Sequence, residues 1–391
     1  MRRLLLPLAL ALALAAPAAA DHGGNPLTQG WSHGTCKGKG RATLGAPPMR
    51  LQDVFAVTPY GVMVGGHVTP IDHGYFEPKD RARGRSVYDV LAPGNGWIVS
   101  IQTRPNGPDH DYRVAIELSC TFYVYYDLIT QLSPRVLKEA GWTDASQGSV
   151  GPRIPVKEGE VIGRIGAQTL DVGVVDRTKT LKGLLVPAHY LAEPWKVHTV
   201  DLFASFKQPL RAKLLALDIR KAAPRTGRID YDVDGRLVGN WFRRGTNWYG
   251  GTCDRSASPS GCDYWGGHLS VVYDVLDPSQ IRVSVGDFGG EARQFGVRGN
   301  APDPSAVSQA SGLVKYELAG FGYVDIATGQ PFTWRAFPTA GLRSELQDFP
   351  SGGGVILVQL VGPRLLKVET FPGKTAADVS GFTPAAKLYE R

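Results

Sequence analysis

The sequence predicts a mostly β protein in two units, and three observations predict it. Apolar residues come in short runs rich in Val, Ile, Tyr and Phe, and these runs are broken by Gly and Pro, which number 48 and 28 in 391 residues. Such runs with turn residues between them read as strands. Apolar residues at helical spacing are nearly absent. The length is also greater than one hydrophobic core commonly serves, so two cores are expected.

In chain order, Met1-Arg2-Arg3 precedes a stretch from Leu4 to Ala16 that is almost wholly Leu and Ala, followed by Pro17 and Ala18-Ala19-Ala20. A charged start, an apolar run and a small-residue site form the pattern of a secretory signal, with cleavage expected after Ala20. The run is shorter than the roughly 20 residues a helix needs to cross a bilayer. Residues 1–20 therefore predict a secreted or periplasmic protein that does not span a membrane after cleavage. Formal net charge is +7, of which Arg2 and Arg3 carry two. The remaining cations are scattered rather than striped, which argues against nucleic acid as a partner. Cys36, Cys120, Cys253 and Cys262 are an even set and contain no CxxC pair. In an exported chain that suggests two disulfides rather than zinc. Of three possible connectivities, Cys253–Cys262 clipping one loop and Cys36–Cys120 tying the N-terminal segment to a strand is the one expected.

Residues 21–53, rich in Gly, Thr and Pro, read as an extended lead-in. Residues 54–206 read as an antiparallel β-sheet or β-sandwich unit. Its strands are Ser86–Val90, Trp97–Ile101, Tyr112–Leu118, Thr121–Tyr126 and Leu170–Val175. It holds one short helix over Leu132–Ala140 capped by Ser133, and His198–Phe206 packs back over it. Within the linker at 207–226, Leu210, Leu214, Leu215 and Ile219 predict a helix over Lys207–Ala223. Residues 227–391 read as a second small β-barrel or β-sandwich. Its strands are Arg236–Val238, Leu269–Tyr273, Ile281–Val285, Leu313–Leu318, Val355–Leu360 and Leu365–Thr370.

The chemistry-bearing residues concentrate in Gly66-His67-Val68-Thr69-Pro70-Ile71-Asp72-His73-Gly74-Tyr75-Phe76-Glu77. Imidazole and carboxylate donors leaving an open position suit zinc as a Lewis acid or water activator. On this spacing His73 and Glu77, with Asp72 or His67, are the candidate ligands. The competing reading is turn chemistry, with Asp72 and His73 bonded to loop backbone.

The order of segments around this cluster resembles the LytM/lysostaphin-type zinc metallopeptidases, the M23 peptidase-like fold or duplicated hybrid motif. The resemblance covers roughly residues 54–206. It rests on Leu91-Ala92-Pro93-Gly94-Asn95-Gly96-Trp97-Ile98-Val99, on Tyr125-Tyr126-Asp127-Leu128, on Val156-Lys157-Glu158-Gly159-Glu160-Val161-Ile162-Gly163-Arg164-Ile165-Gly166, and on Thr169-Leu170-Asp171-Val172-Gly173-Val174. The resemblance implies a metal site at His73, Glu77 and Asp171. It also implies that Asp127 and Thr169 stand where the family has the two histidines that hold water and stabilise the intermediate. Thr cannot act as an imidazolium, and an ionised Asp repels a developing oxyanion. His67, Pro70, Asp72, His73, Tyr75 and Phe76 are also similar to an offshoot of that fold for which no activity is implied.

In the second unit, Gly239-Asn240-Trp241 is similar to the Gly-x-Trp opening of lipocalin-like barrels. Trp248, Tyr249, Tyr264 and Trp265 flank the Cys253/Cys262 loop as a stacking surface or a hydrophobic plug. The expectation is an exported, non-catalytic protein that binds cell-wall glycan or peptide or an envelope protein. No cofactor is expected, or else one divalent cation, zinc being the ion the resemblance implies. The alternative is a metal-dependent peptidoglycan hydrolase that uses His73, Glu77 and Asp171, with Asp127, Thr169 or His67 assisting.

Overall fold

The structure is a computed structural model that describes residues 36–106, 109–252, 263–347 and 353–391. The predicted signal at residues 1–20 and the predicted Cys253–Cys262 disulfide lie outside the described residues. Cys36 and Cys120 form a disulfide across 84 positions of chain. No helix among the described residues is long and apolar enough to cross a membrane.

The first unit contains β1 (Val54–Thr58), β2 (Gly74–Pro78), β3 (Tyr88–Leu91), β4 (Gly96–Asn106), β5 (Asp109–Ser119), β6 (Phe122–Ile129), β7 (Gln131–Leu132), α1 (Pro134–Ala140), β8 (Ser149–Val150), β9 (Ile154–Val156), β10 (Val161–Ile165) and β11 (Leu170–Asp176). One antiparallel sheet runs β1-β2-β11-β6-β5-β4-β8, with β9 also on β4, and a smaller sheet runs β3-β10-β7. The strands obey the two-residue period of a pleated sheet. Phe76, Ile116, Val124, Tyr126, Leu170 and Val172 face the main core together with Val90 and Ile162 of the smaller sheet. The alternate positions carry the polar groups described below. Helix α1 starts where expected: Ser133 Oγ accepts the Val136 amide at 3.3 Å, and Gly141 ends the helix in the left-handed region.

The linker helix, α2, is Leu210–Leu217, shorter than the predicted 207–223. Its period is overridden by tertiary pairing. Asp218 turns extended and forms a bridge with Val57, and the Ile219 amide donates to the Val57 carbonyl at 3.0 Å. That pairing covers the outer edge of β1, an edge that sheet proteins tend to protect.

The second unit is a closed barrel, not a sandwich. Its strands are β12 (Gly239–Arg243), β13 (His268–Tyr273), β14 (Ile281–Val285), β15 (Arg293–Val297), β16 (Val314–Ala319), β19 (Gly354–Gly362), β20 (Leu365–Pro372) and β21 (Lys387–Glu390). Between β16 and β19 the hairpin β17 (Phe321–Asp325) and β18 (Leu342–Leu346) is not part of the barrel sheet but packs on its outside, where Tyr323 Oη donates to Asp274 at 2.6 Å and Arg282 of β14 lies 3.8 Å over the Phe321 ring. The barrel interior is filled by side chains including Trp241, Leu269, Val283, Phe295, Tyr316 and Ile356. The predicted strand at Arg236–Val238 is instead an irregular approach to β12. Strand pairing begins at Gly239, whose φ of 124° and close Asp232 neighbour exclude a side chain. Arg391 lies over the Trp241 ring at 4.0 Å and donates to the Val238 and Val233 carbonyls at 2.7 Å each, and to that of Arg236.

Candidate functional site

The second face of the large sheet gathers the chemistry. Asp171 on β11 is the register partner of Asp127 on β6 and, on its other side, of Tyr75 on β2. His73, just ahead of β2, lies beside them. Two carboxylates on adjacent strands repel unless each has a cation, and each has one. Asp127 accepts from Arg113 Nη2 at 2.5 Å and lies 3.6 Å from Arg104 Nη2. Asp171 Oδ2 is 3.2 Å from His73 Nε2. Burial opposes ionisation of Asp127, but Arg113 and Arg104 outweigh it and hold its pKa below the usual carboxylate value. Burial likewise opposes charge on His73, but Asp171, then Asp72 and Asp127, lift its pKa above the ordinary imidazole value. Burial raises Asp171 against the pull of His73.

A third pair closes the row. Asp72 accepts from Tyr125 Oη at 2.9 Å and lies 3.6 Å from Lys196 Nζ. Burial works against the Asp72 charge, and Lys196, His73 and Tyr125 together keep its pKa low. Lys196 is fully buried, donates to the Pro70 carbonyl at 2.7 Å, and sits 5.1 Å over the Tyr249 ring. The His67 ring meets His73 edge-on at 6.1 Å. Burial, with His73 and Lys196 adding to it, keeps His67 neutral, its pKa well below the usual imidazole value. Thr169 Oγ1 donates to Asp171 Oδ1 at 3.1 Å, so it orients that carboxylate.

The strip 184–198 roofs this face. Trp195 packs on Tyr125 at 6.3 Å and lies 5.5 Å from the Arg113 guanidinium. On its other side Leu184, Tyr190 and Val197 join Phe242 and Tyr249 of the barrel unit. Half-buried Glu193 is raised by burial and by Asp72.

The sequence-predicted residues therefore divide. His73, Asp171, Asp127, Asp72, Thr169 and His67 come together. Glu77 does not join them: both its oxygens are bonded to Arg81, four residues on. Among the described residues no group of three or more His, Cys, Asp or Glu is arranged to hold a metal ion. The His73–Asp171 span would suit two corners of a tetrahedron with bonds of ~2 Å, but catalytic zinc commonly takes three protein donors. The set fits zinc incompletely, and no step is derived through such an ion.

Sequence reasoning missed Arg104, Arg113 and Lys196, and it placed Tyr249 in an aromatic group of the second unit without linking it to this row. Arg104 and Arg113 lie on strands that carry other polar residues, such as Gln102 on β4 and Asp111 on β5, so nothing local marked them as partners of Asp127. Lys196 and Tyr249 reach the row from distant loops, and no local pattern ties either to it. Gly173 was also unremarked as a site residue. It is the register partner of Tyr125, and an added Cβ there would lie 2.1 Å from the Tyr125 ring.

Comparison with protein-family models, with curated proteins and with solved structures finds no match for this chain.

Proposed function

We propose that this is an exported, non-catalytic protein with a LytM/lysostaphin-like first unit, and that it binds cell-wall or envelope material. One observation carries the reading: the carboxylates that would serve as ligands or base are committed to internal cations. Asp127 has Arg113 and Arg104, Asp171 has His73, Asp72 has Lys196, and Glu77 has Arg81. Hydrolysis needs a polarised water, a base free to take its proton and a donor aimed at the oxyanion. Here the base position, Asp127, is a carboxylate held ionised between two guanidinium groups, and ion-paired carboxylates are poor proton acceptors.

A second reading, a metal-assisted hydrolase, is favoured by one detail. His73 Nε2 is buried and, although it is close to Asp171, makes no well-aligned hydrogen bond. One experiment separates the two. The mature protein is assayed for bound metal, for co-sedimentation with purified cell wall, and for release of soluble fragments with added zinc or with chelator. Co-sedimentation without fragment release is expected. Chelator-sensitive cleavage that is lost in His73→Ala would overturn the proposal in favour of the hydrolase.

A further inference from the structure

The polar face continues past the Asp127–Asp171 row into an open cleft. Two positions along β6 from Tyr125 stands Tyr123, and its register partner on β11 is Val175. These two form the floor of a cavity of about 380 Å³ whose other walls are Arg177, Leu191, Pro194, Trp195 and His198. Trp195 is the element common to both regions: one side roofs Tyr125, the other bounds the cleft.

The walls divide by chemistry. Val175, Leu191 and Pro194 are apolar. Arg177 is exposed at the end of β11; its side chain hydrogen-bonds Tyr123 on the cleft floor, and among the described residues it forms no ion pair with a carboxylate. His198 Nδ1 lies 2.5 Å from the Lys179 carbonyl. A carbonyl only accepts, so Nδ1 carries the proton, and in the neutral ring Nε2 is left as an acceptor. The cleft thus offers a guanidinium fork, an acceptor nitrogen and a small apolar wall. A planar fork matches a carboxylate through two parallel hydrogen bonds. A lone imidazole acceptor matches an amide N–H.

From this complementarity we infer that the cleft binds the C-terminal end of a short peptide. The terminal carboxylate sits on Arg177, the last amide N–H faces His198, and a small apolar side chain rests on Val175, Leu191 and Pro194. A C-terminal residue carries all three features within one residue's length. A phosphate or sulfate would satisfy only the cation, and an uncharged sugar would leave Arg177 without a counter-ion. The inference names a ligand for a site outside the His73–Asp171 row and does not depend on whether that row is catalytic.

The test titrates the mature protein calorimetrically with N-acetyl-alanyl-alanine and with its C-terminal amide. Binding of the acid is expected, with the amide weaker by about tenfold or more, since the charge-assisted pair is lost. Arg177→Ala should weaken the acid to the level of the amide and leave the amide unchanged. Arg177 is exposed, so the variant should fold; matching circular dichroism and thermal midpoint check this. Equal affinity for acid and amide, no binding of either, or undiminished binding by Arg177→Ala would each overturn the inference. Cell-wall co-sedimentation retained in the face of any of these outcomes would show that the broader proposal stands while this ligand does not.

Discussion

At the scale of single residues, the most informative groups are histidines that burial keeps from charging. His268 on β13 is 1% exposed, its Nε2 is 3.1 Å from the carbonyls of both Trp248 and Tyr249, and its ring stacks on Tyr249 at 5.3 Å. Burial lowers its pKa to about 3, although the two carbonyls pull the other way. In the unfolded chain the ring takes a proton near the ordinary value of about 6.5. Between these values the unfolded state binds a proton that the folded state refuses. The contribution is therefore fully present above pH 6.5 and is lost as pH falls towards 3, with a slope of at most about 1.4 kcal/mol per unit. His73 acts in the opposite window. Its raised pKa adds stability that is full below about 6.5 and fades as pH rises. Chemical denaturation of His268→Gln across pH 4–7 should show a flatter loss on the acid side than the parent; an identical pH profile would rule this account out. None of this was legible in the sequence, because His268 looks like any strand histidine until Trp248 and Tyr249 are folded over it.

At the scale of elements, the β6–β11 pairing decides the site. Tyr125 reaches Asp72 only because its ring crosses β11 at Gly173. Gly173→Ala is expected to push the ring off this path, weaken its bond to Asp72 and cost about 1–3 kcal/mol, the usual range for overpacking. Urea unfolding measures the loss, and restoring space with a second change, Tyr125→Leu, should recover part of it. Recovery of nothing would mean that the cost comes from the strand backbone rather than the ring. The strands themselves were legible because alternation and turn residues are local. Trp97–Ile101, Tyr112–Leu118, Leu269–Tyr273 and Ile281–Val285 all fall within observed strands. The overlong helix at 207–223 and the false strand at 236–238 share one cause. In each case contacts with a distant segment, Val57 for one and Val307 and Arg391 for the other, set the backbone where local period suggested something else. The closure of β12 on β21 was similarly out of reach, since neither strand carries a mark of its partner.

At the scale of the whole molecule, the barrel end is held by one cation. Arg391 donates to three carbonyls and lies 3.6 Å from Asp232, which burial raises to about 6 despite that neighbour. Arg391→Ala leaves those carbonyls and a buried carboxylate without their partner, a class of change that costs about 3–5 kcal/mol. Thermal denaturation should show the drop, and Arg391→Lys, one point charge in place of a fork, should restore only part of it. A midpoint unchanged in Arg391→Ala would show that the barrel end is held by its strands alone. Contacts also tie distant parts of the chain. Between the units Gln294 donates to the Gly65 carbonyl across 229 positions, and within the barrel unit Arg391 reaches Val238 across 153. Such separations carry a kinetic consequence. Chains whose native contacts are far apart in sequence fold slowly, because loop closure must precede the contacts that reward it. The large sheet can form once β11 has been synthesised, but its roof is incomplete until Tyr249 arrives, and the barrel stays an open sheet with two free edges until β21 has been made. Pairing of β21 with β12 and β20 removes both edges at once, and so ends the interval in which they are open to aggregation and proteolysis.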